Sequence, residues 1–216
     1  NLVNFIILIF LKVFVDQIKI IKSSIPKKSI PLVSNYLKKR NVNIKVSSKR
    51  YTKHGDFRIL PDETRQISIN KTLNKYRFLI TLIHELSHLE AYEKYGLNIK
   101  PHGHYWKKTY KDLMKPFLVN TIFPDDLLNV LYTYFKNPKA SSDSDFDLSI
   151  LLSKYDEDHG EKHVFELDKG STFEIYNGKK FVVSGKKYKR YLCQEINSKK
   201  IYLFSASAKV KPISIY

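Results

Sequence analysis

Among its 216 residues the chain has one cysteine, one methionine, one tryptophan and seven glycines, and its 21 acidic residues face 38 Lys and Arg. One cysteine, Cys193, excludes an internal disulfide and any multi-cysteine zinc ribbon. That suits a reducing compartment, and the chain is read as cytoplasmic. Cys193 lies in a strand-like run and is expected to be inert. Few glycines and no low-complexity tract, with 43% hydrophobic residues, describe a globular chain able to bury one good core plus a small second module. The acid deficit leaves a net charge of +17. It fits either an acidic partner such as nucleic acid, or the Lys, Ile, Asn and Tyr usage of an AT-rich genome.

No hydrophobic run is long enough to cross a membrane. Leu2 to Val15 is apolar but short, and Lys12 interrupts it. No basic leader precedes it, and Asp16-Gln17 is not a small-residue cleavage site. Neither a transmembrane helix nor a signal peptide is expected, and no membrane partner. A truncated or over-extended start is, with residues 1–28 an uncertain extension and the fold beginning between Val15 and Ser29.

What is present centres on Phe78 to Gly96, which contains His84-Glu85-Leu86-Ser87-His88. Helical positions four apart share a face, so His84 and His88 can offer two imidazoles to one metal ion with Glu85 beside it as general base. Three fixed positions recur by chance in roughly one such chain in two hundred, so context must carry the reading. It does: Leu79, Ile80, Leu82, Ile83, Leu86 and Leu89 predict a buried helix, with Gly96 as its stop. A catalytic zinc takes three protein ligands and keeps one position open, where bound water falls to a pKa near 7. The third ligand is sought in Pro101-His102-Gly103-His104, where spacing does not choose between His102 and His104. Glu93 and Asp112 also stay open as carboxylate ligands.

Around this helix the pattern predicts a helix from Ser29 to about Arg40, strands at Asn43–Ser47, Phe57–Leu60 and Gln66–Asn70, then helices Tyr105–Lys115 and Pro124–Phe135. His54 lies in a polar turn and is expected to be solvated. The stretch 138–159 reads as an acidic linker with a helical patch near Ile150 to Leu152. Asp143, Asp145 and Asp147 have the spacing of a calcium loop, but Leu148 and Lys154 occupy the positions that need glycine and glutamate, which excludes it. From 160 to 216 the period switches to two. Strands are expected at Thr172–Tyr176, Lys180–Val183, Tyr188–Ile196 and Lys200–Phe204, with an Asn177-Gly178 turn. This small basic module holds twelve Lys/Arg against five Asp/Glu. Lys186, Lys187, Lys189 and Arg190 alternate with Tyr188 and Tyr191, a composition suited to phosphate contacts with base stacking, and single-stranded DNA is the expected preference. A solvated strand face explains it equally. His159 and His163 have no ligand partner in the sequence.

His-Glu-Leu-Ser-His followed by Lys-Pro-His-Gly-His-Tyr-Trp-Lys resembles the SprT-like family of zinc metalloproteases, whose second motif is His-Gly-x-x-Phe/Trp. The resemblance runs from about Ser29 to Asn137, through Arg50-Tyr51-Thr52-Lys53, Gly55-Asp56-Phe57-Arg58 and Ile122-Phe123-Pro124-Asp125-Asp126. It implies His102 as the third Zn2+ ligand, Gly103 and Trp106 as the motif's glycine and aromatic, and Glu85 as the catalytic glutamate. His104 falls at a variable position. The implied fold class is α+β, a zincin-like domain at 29–137 with a short antiparallel sheet, the His84–His88 helix and covering helices, followed by the β-rich module. The implied function is zinc-dependent cleavage of protein substrates, including proteins on or crosslinked to DNA. An extended substrate is expected to pair with strand Gln66–Asn70, which directly precedes the metal helix and is read as an exposed edge. Many members carry a cysteine zinc ribbon after this domain, and this chain has no cysteines for one. Two further readings stand: a nucleic-acid-binding protein with a structural metal site, and a metal-dependent hydrolase of a small amide.

Overall fold

The structure, a computed structural model, describes residues 18–214 apart from 20 and 97. The expectations for Leu2 to Val15 lie outside the described residues. Among those described, no helix is long and apolar enough to cross a membrane. The chain is mixed α and β and divides into two compact units, Asn1–Ser141 and Ser142–Tyr216.

In the first unit, helix α1 (Ile30–Leu37) buries Val33 and Leu37. Strands β1 (Asn43–Ser47), β2 (Gly55–Ile59) and β3 (Arg65–Asn70) follow. Helix α2 (Lys75–Tyr95) starts three residues before the apolar run because Asn74 caps it, its side chain accepting from the N–H groups of Tyr76 and Arg77. Gly96 ends it in a left-handed conformation, φ +80°. Phe78, Leu79, Leu82 and Leu89 on α2 are fully buried, as are Ile67 and Ile69 of β3. Helix α3 (His104–Met114) packs on α2, which also packs on β2 and β3. Helix α4 (Asp125–Tyr134) opens with two acids that suit a helix N-terminus. Its flanks hold the bundle: Phe123 packs on Tyr76, and Phe135 on Tyr110 of α3.

The sheet corrects the sequence reading in two respects. Its order is β1-β3-β2, and β1 runs parallel to β3 while β2 runs antiparallel, so it is mixed rather than antiparallel. Alternation reports which face a side chain takes, not the direction of its neighbour. The strand after β2 returns to the centre, so β3 is hydrogen-bonded on both sides and no substrate can pair with Gln66–Asn70. The outer edges belong to β1 and β2.

In the second unit, the stretch expected as linker contains helix α5 (Phe146–Ser153), capped by the Asp145 side chain on the Leu148 N–H. Leu148 and Leu152 are fully buried. Strands β4 (Lys162–His163), β5 (Thr172–Glu174), β6 (Lys180–Lys187), β7 (Arg190–Glu195), β8 (Ile201–Ser205) and β9 (Lys209–Ile213) form one sheet in the order β4-β9-β5-β6-β7-β8. Sequence reasoning missed β4, only two residues long, and β9, which contains Pro212. Four inter-strand spacings separate β8 from β9 in that order, about 19 Å if the sheet were flat. The four peptide steps from Ser205 to Lys209 span at most about 14 Å. The sheet must therefore curl, and Val164, Phe173, Phe181, Val183, Cys193 and Val210 form its core. Cys193 is buried, and burial pushes its thiol up to about 11. His163 is buried in this unit, with Nδ1 2.9 Å from the Ser207 carbonyl oxygen and Nε2 2.8 Å from Ser153 Oγ. It ties α5 to the strands.

Candidate metal centre

Helix α2 places His84 and His88 one turn apart, and His102 reaches them from the turn before α3. His102 adopts a left-handed backbone, φ +57°. Gly103 is required beside it, because a Cβ there would stand 2.9 Å from the Lys100 carbonyl oxygen. The three Nε2 atoms lie 3.2 Å (His84 to His102), 3.3 Å (His84 to His88) and 3.0 Å (His88 to His102) apart. A nitrogen of a neutral imidazole either carries a proton or offers a lone pair, so among three at least two are alike and cannot bond each other. Hydrogen bonding alone does not satisfy this triangle. A central cation does: imidazoles around tetrahedral zinc at 2.0–2.1 Å sit about 3.3 Å apart.

Protonation is suppressed as well. Burial, then the neighbouring His88 and His102, push His84 well below its usual range. Burial and His102 bring His88 to about 4, and burial lowers His102. These neutral, converging imidazoles could hold a metal ion. The donor set fits zinc and other ions that accept imidazole. Trp106, fully buried, packs its ring against all three, with centroids 4.6 Å from His84, 5.2 Å from His88 and 4.6 Å from His102. Its indole N–H has no hydrogen-bond partner among the described residues, a cost of that placement.

The remaining candidates lie elsewhere. His104 is exposed beside Tyr105. Glu93 pairs with Arg40 and Arg65, and Asp112 is exposed. An apolar cavity of about 340 Å³ between α1, α2 and the end of α3 contains none of the three histidines. His54 keeps its place in the turn before β2, its carbonyl oxygen accepting from the Asn70 N–H.

Glu85 is 6% exposed on the side of α2 that faces β2. Burial first, and the charge of Asp56 second, raise its pKa to about 8, against the pull of the Phe57 backbone N–H, Arg50 and Lys53. Behind it stands a polar cluster whose roles no spacing signalled. Arg50 donates from Nε to Asn70 Oδ1 (2.8 Å) and from Nη1 to Ser68 Oγ (2.9 Å), and it pairs with Asp56. Asn70 Nδ2 in turn donates to the carbonyls of Arg50 and Lys53. Burial alone would raise Asp56, but hydrogen bonds from Ser68 and Arg50, with Lys53 and Arg58 nearby, hold it at about 2.

Arg50→Ala strands these acceptors and is expected to cost about 2–3 kcal/mol, read from urea unfolding. The sign follows from Asp56, whose folded pKa of about 2 lies below its ordinary 3.8. Its contribution is complete above the ordinary value and fades as pH falls through the folded one. Acid destabilisation below pH 4 should therefore be shallower in Arg50→Ala than in the wild type.

The cationic cluster of the second unit sits at the β6–β7 hairpin, where Lys187 pairs with Arg190 across the turn. Tyr188 at the tip has φ +54° and is 90% exposed. Lys186, Lys187, Lys189 and Arg190 are exposed around it, whereas Tyr191 is half-buried against the core of this unit with Lys186 Nζ 5.8 Å from its ring centre.

Comparison with curated proteins and with solved structures finds no match. A protein-family comparison does. Residues 28–124, the stretch that carries β2, all of α2 and the His102 turn, match the SprT-like family.

Proposed function

We propose that the first unit is a zinc-dependent endopeptidase. The observation that carries the reading is a triangle of neutral imidazoles, two on a buried helix that also presents Glu85 and the third, His102, from the turn before α3. His84, His88 and His102 would hold the ion and leave a position open. When bound, zinc supplies Lewis acidity, which acidifies water and polarises a carbonyl. Glu85 takes the proton from the attacking water and delivers it to the departing amine. Its burial raises its affinity for that proton. With β3 paired on both sides, β2 is the strand beside Glu85 with an edge for main-chain pairing to an extended peptide. Such pairing reads backbone, so broad sequence tolerance is expected in a cleavage-site survey.

The test is cleavage of an unfolded protein substrate with and without a chelator. Loss of cleavage on chelation and recovery with added zinc support the reading. Cleavage indifferent to chelation overturns it. Cleavage of small amides but not proteins would favour the amide-hydrolase reading, and metal content with DNA binding but no hydrolysis would favour a structural metal.

The exposed Tyr188 among four cations favours nucleic acid as a partner of the second unit, and proteins on DNA as substrates. Single-stranded DNA should bind better than duplex, because only unpaired bases offer free faces to an aromatic ring. Neutralising Lys186, Lys187, Lys189 and Arg190 together should flatten the log–log salt dependence of single-strand binding by up to about three units. Equal slopes for wild type and the fourfold variant would place the contacts elsewhere.

A further inference from the structure

Glycine at position 55 is not demanded by the backbone, since Gly55 lies outside the left-handed region where side chains are excluded. It is demanded by what stands opposite. A Cβ at this position would lie 2.7 Å from Thr81 Cγ2, 2.9 Å from Glu85 Oε1 and 3.0 Å from Glu85 Cγ. Thr81 and Glu85 are one turn apart on α2, and each is 6% exposed. Neither is a loose surface chain that could swing into solvent. Two residues further along β2, the Phe57 backbone N–H hydrogen-bonds the Glu85 carboxylate.

The strand cannot easily retreat either. Asp56, between Gly55 and Phe57, is held by Arg50, Ser68 and Arg58. Gly55 and Phe57 are paired to Ile69 and Ile67 of the central strand. An added methyl group must therefore be absorbed by the side chains of α2, and the carboxylate is among the nearest.

We propose that Gly55 is a positioning residue for Glu85: the bare backbone of β2 is the floor on which the carboxylate rests, with the Phe57 N–H fixing its orientation. The inference rests on the reading that Glu85 moves the proton. It places the accuracy of that step in a strand that supplies no catalytic side chain. A misplacement of about 1 Å in a catalytic group can cost roughly 100-fold in rate.

The experiment compares Gly55→Ala, Gly55→Ala with Thr81→Ser, Glu85→Gln, and Gly55→Ala with Glu85→Gln. Thr81→Ser removes the methyl group closest to the new Cβ and leaves Glu85 in place. Gly55→Ala is expected to retain metal, keep KM within about twofold and lose roughly 10–100-fold in kcat. Thr81→Ser should not restore it. In the Glu85→Gln background Gly55→Ala should cost less than about twofold, because the group it displaces no longer transfers protons. A second readout needs neither metal nor turnover: the Phe57 amide resonance should move in Glu85→Gln and also in Gly55→Ala. Recovery of kcat by Thr81→Ser, an equal loss in both backgrounds, or an unmoved Phe57 amide would each overturn the proposal. If Gly55→Ala does not fold, the Thr81→Ser double variant carries the same comparison. If the wild type cuts no protein, the peptidase reading falls by itself, and the Phe57 resonance still decides whether Gly55 places Glu85.

Discussion

Replacing Glu85 with glutamine is expected to leave the metal content of the purified protein unchanged and to lower turnover at least about 100-fold, the usual scale of general acid–base catalysis. The two effects separate because the amide fills the same space on α2 and touches none of the three imidazoles that define the metal position. Only the ability to accept and return a proton is lost. KM should stay close to the wild-type value, since the pairing proposed for the peptide uses main-chain contacts with β2 rather than this side chain. Metal analysis and steady-state kinetics on the same preparations check both halves. Near-normal turnover by the metal-loaded variant would make Glu85 a neighbour of the site rather than its base.

The second large effect concerns the ligands. His84→Ala, His88→Ala and His102→Ala are each expected to purify with little zinc, against about one equivalent in the wild type, because two imidazoles do not make the three-ligand site that zinc takes in catalytic centres. His104→Ala should retain its metal, since that ring stands in solvent beside Tyr105. Elemental analysis after dialysis distinguishes them. Full occupancy in His102→Ala together with loss in His104→Ala would reverse the assignment.

How far the sequence carried this differs from residue to residue. Helix α2 was readable because a buried helix needs apolar residues on most of its circumference, and polar residues within such a run mark a site. Its first turn was not, since Asn74 precedes the apolar pattern and acts through a hydrogen bond. Spacing could not separate His102 from His104. What separates them is the left-handed backbone at residue 102 and the helix that begins at 104, which send the two rings in different directions. The place of β3 between β1 and β2 was hidden for a general reason: alternation encodes faces, while strand order is set by contacts distant in sequence. The Arg50, Asp56, Ser68 and Asn70 cluster was hidden for the same reason, being four ordinary polar residues spread over two strands and a loop. In the second unit the Asn177-Gly178 turn announced its hairpin. Strand β9 did not announce itself, because Pro212 argues locally against a strand whose neighbours supply the hydrogen bonds.

The left-handed backbone at His102 bears on how the ion would come and go. Two of the histidines that would hold it, His84 and His88, ride on the buried helix α2 with Trp106 against both rings. The third stands on a three-residue turn, and its conformation, unfavourable for a residue with a Cβ by about 1–2 kcal/mol, is held by its surroundings rather than by its own preference. Exchange of the ion should then begin at His102 as a hinged door, opening by relaxation of one peptide unit while the helix stays shut. A substitution that disturbs this turn, Gly103→Ala with its Cβ 2.9 Å from the Lys100 carbonyl oxygen, is expected to show as faster release of metal to a chelator.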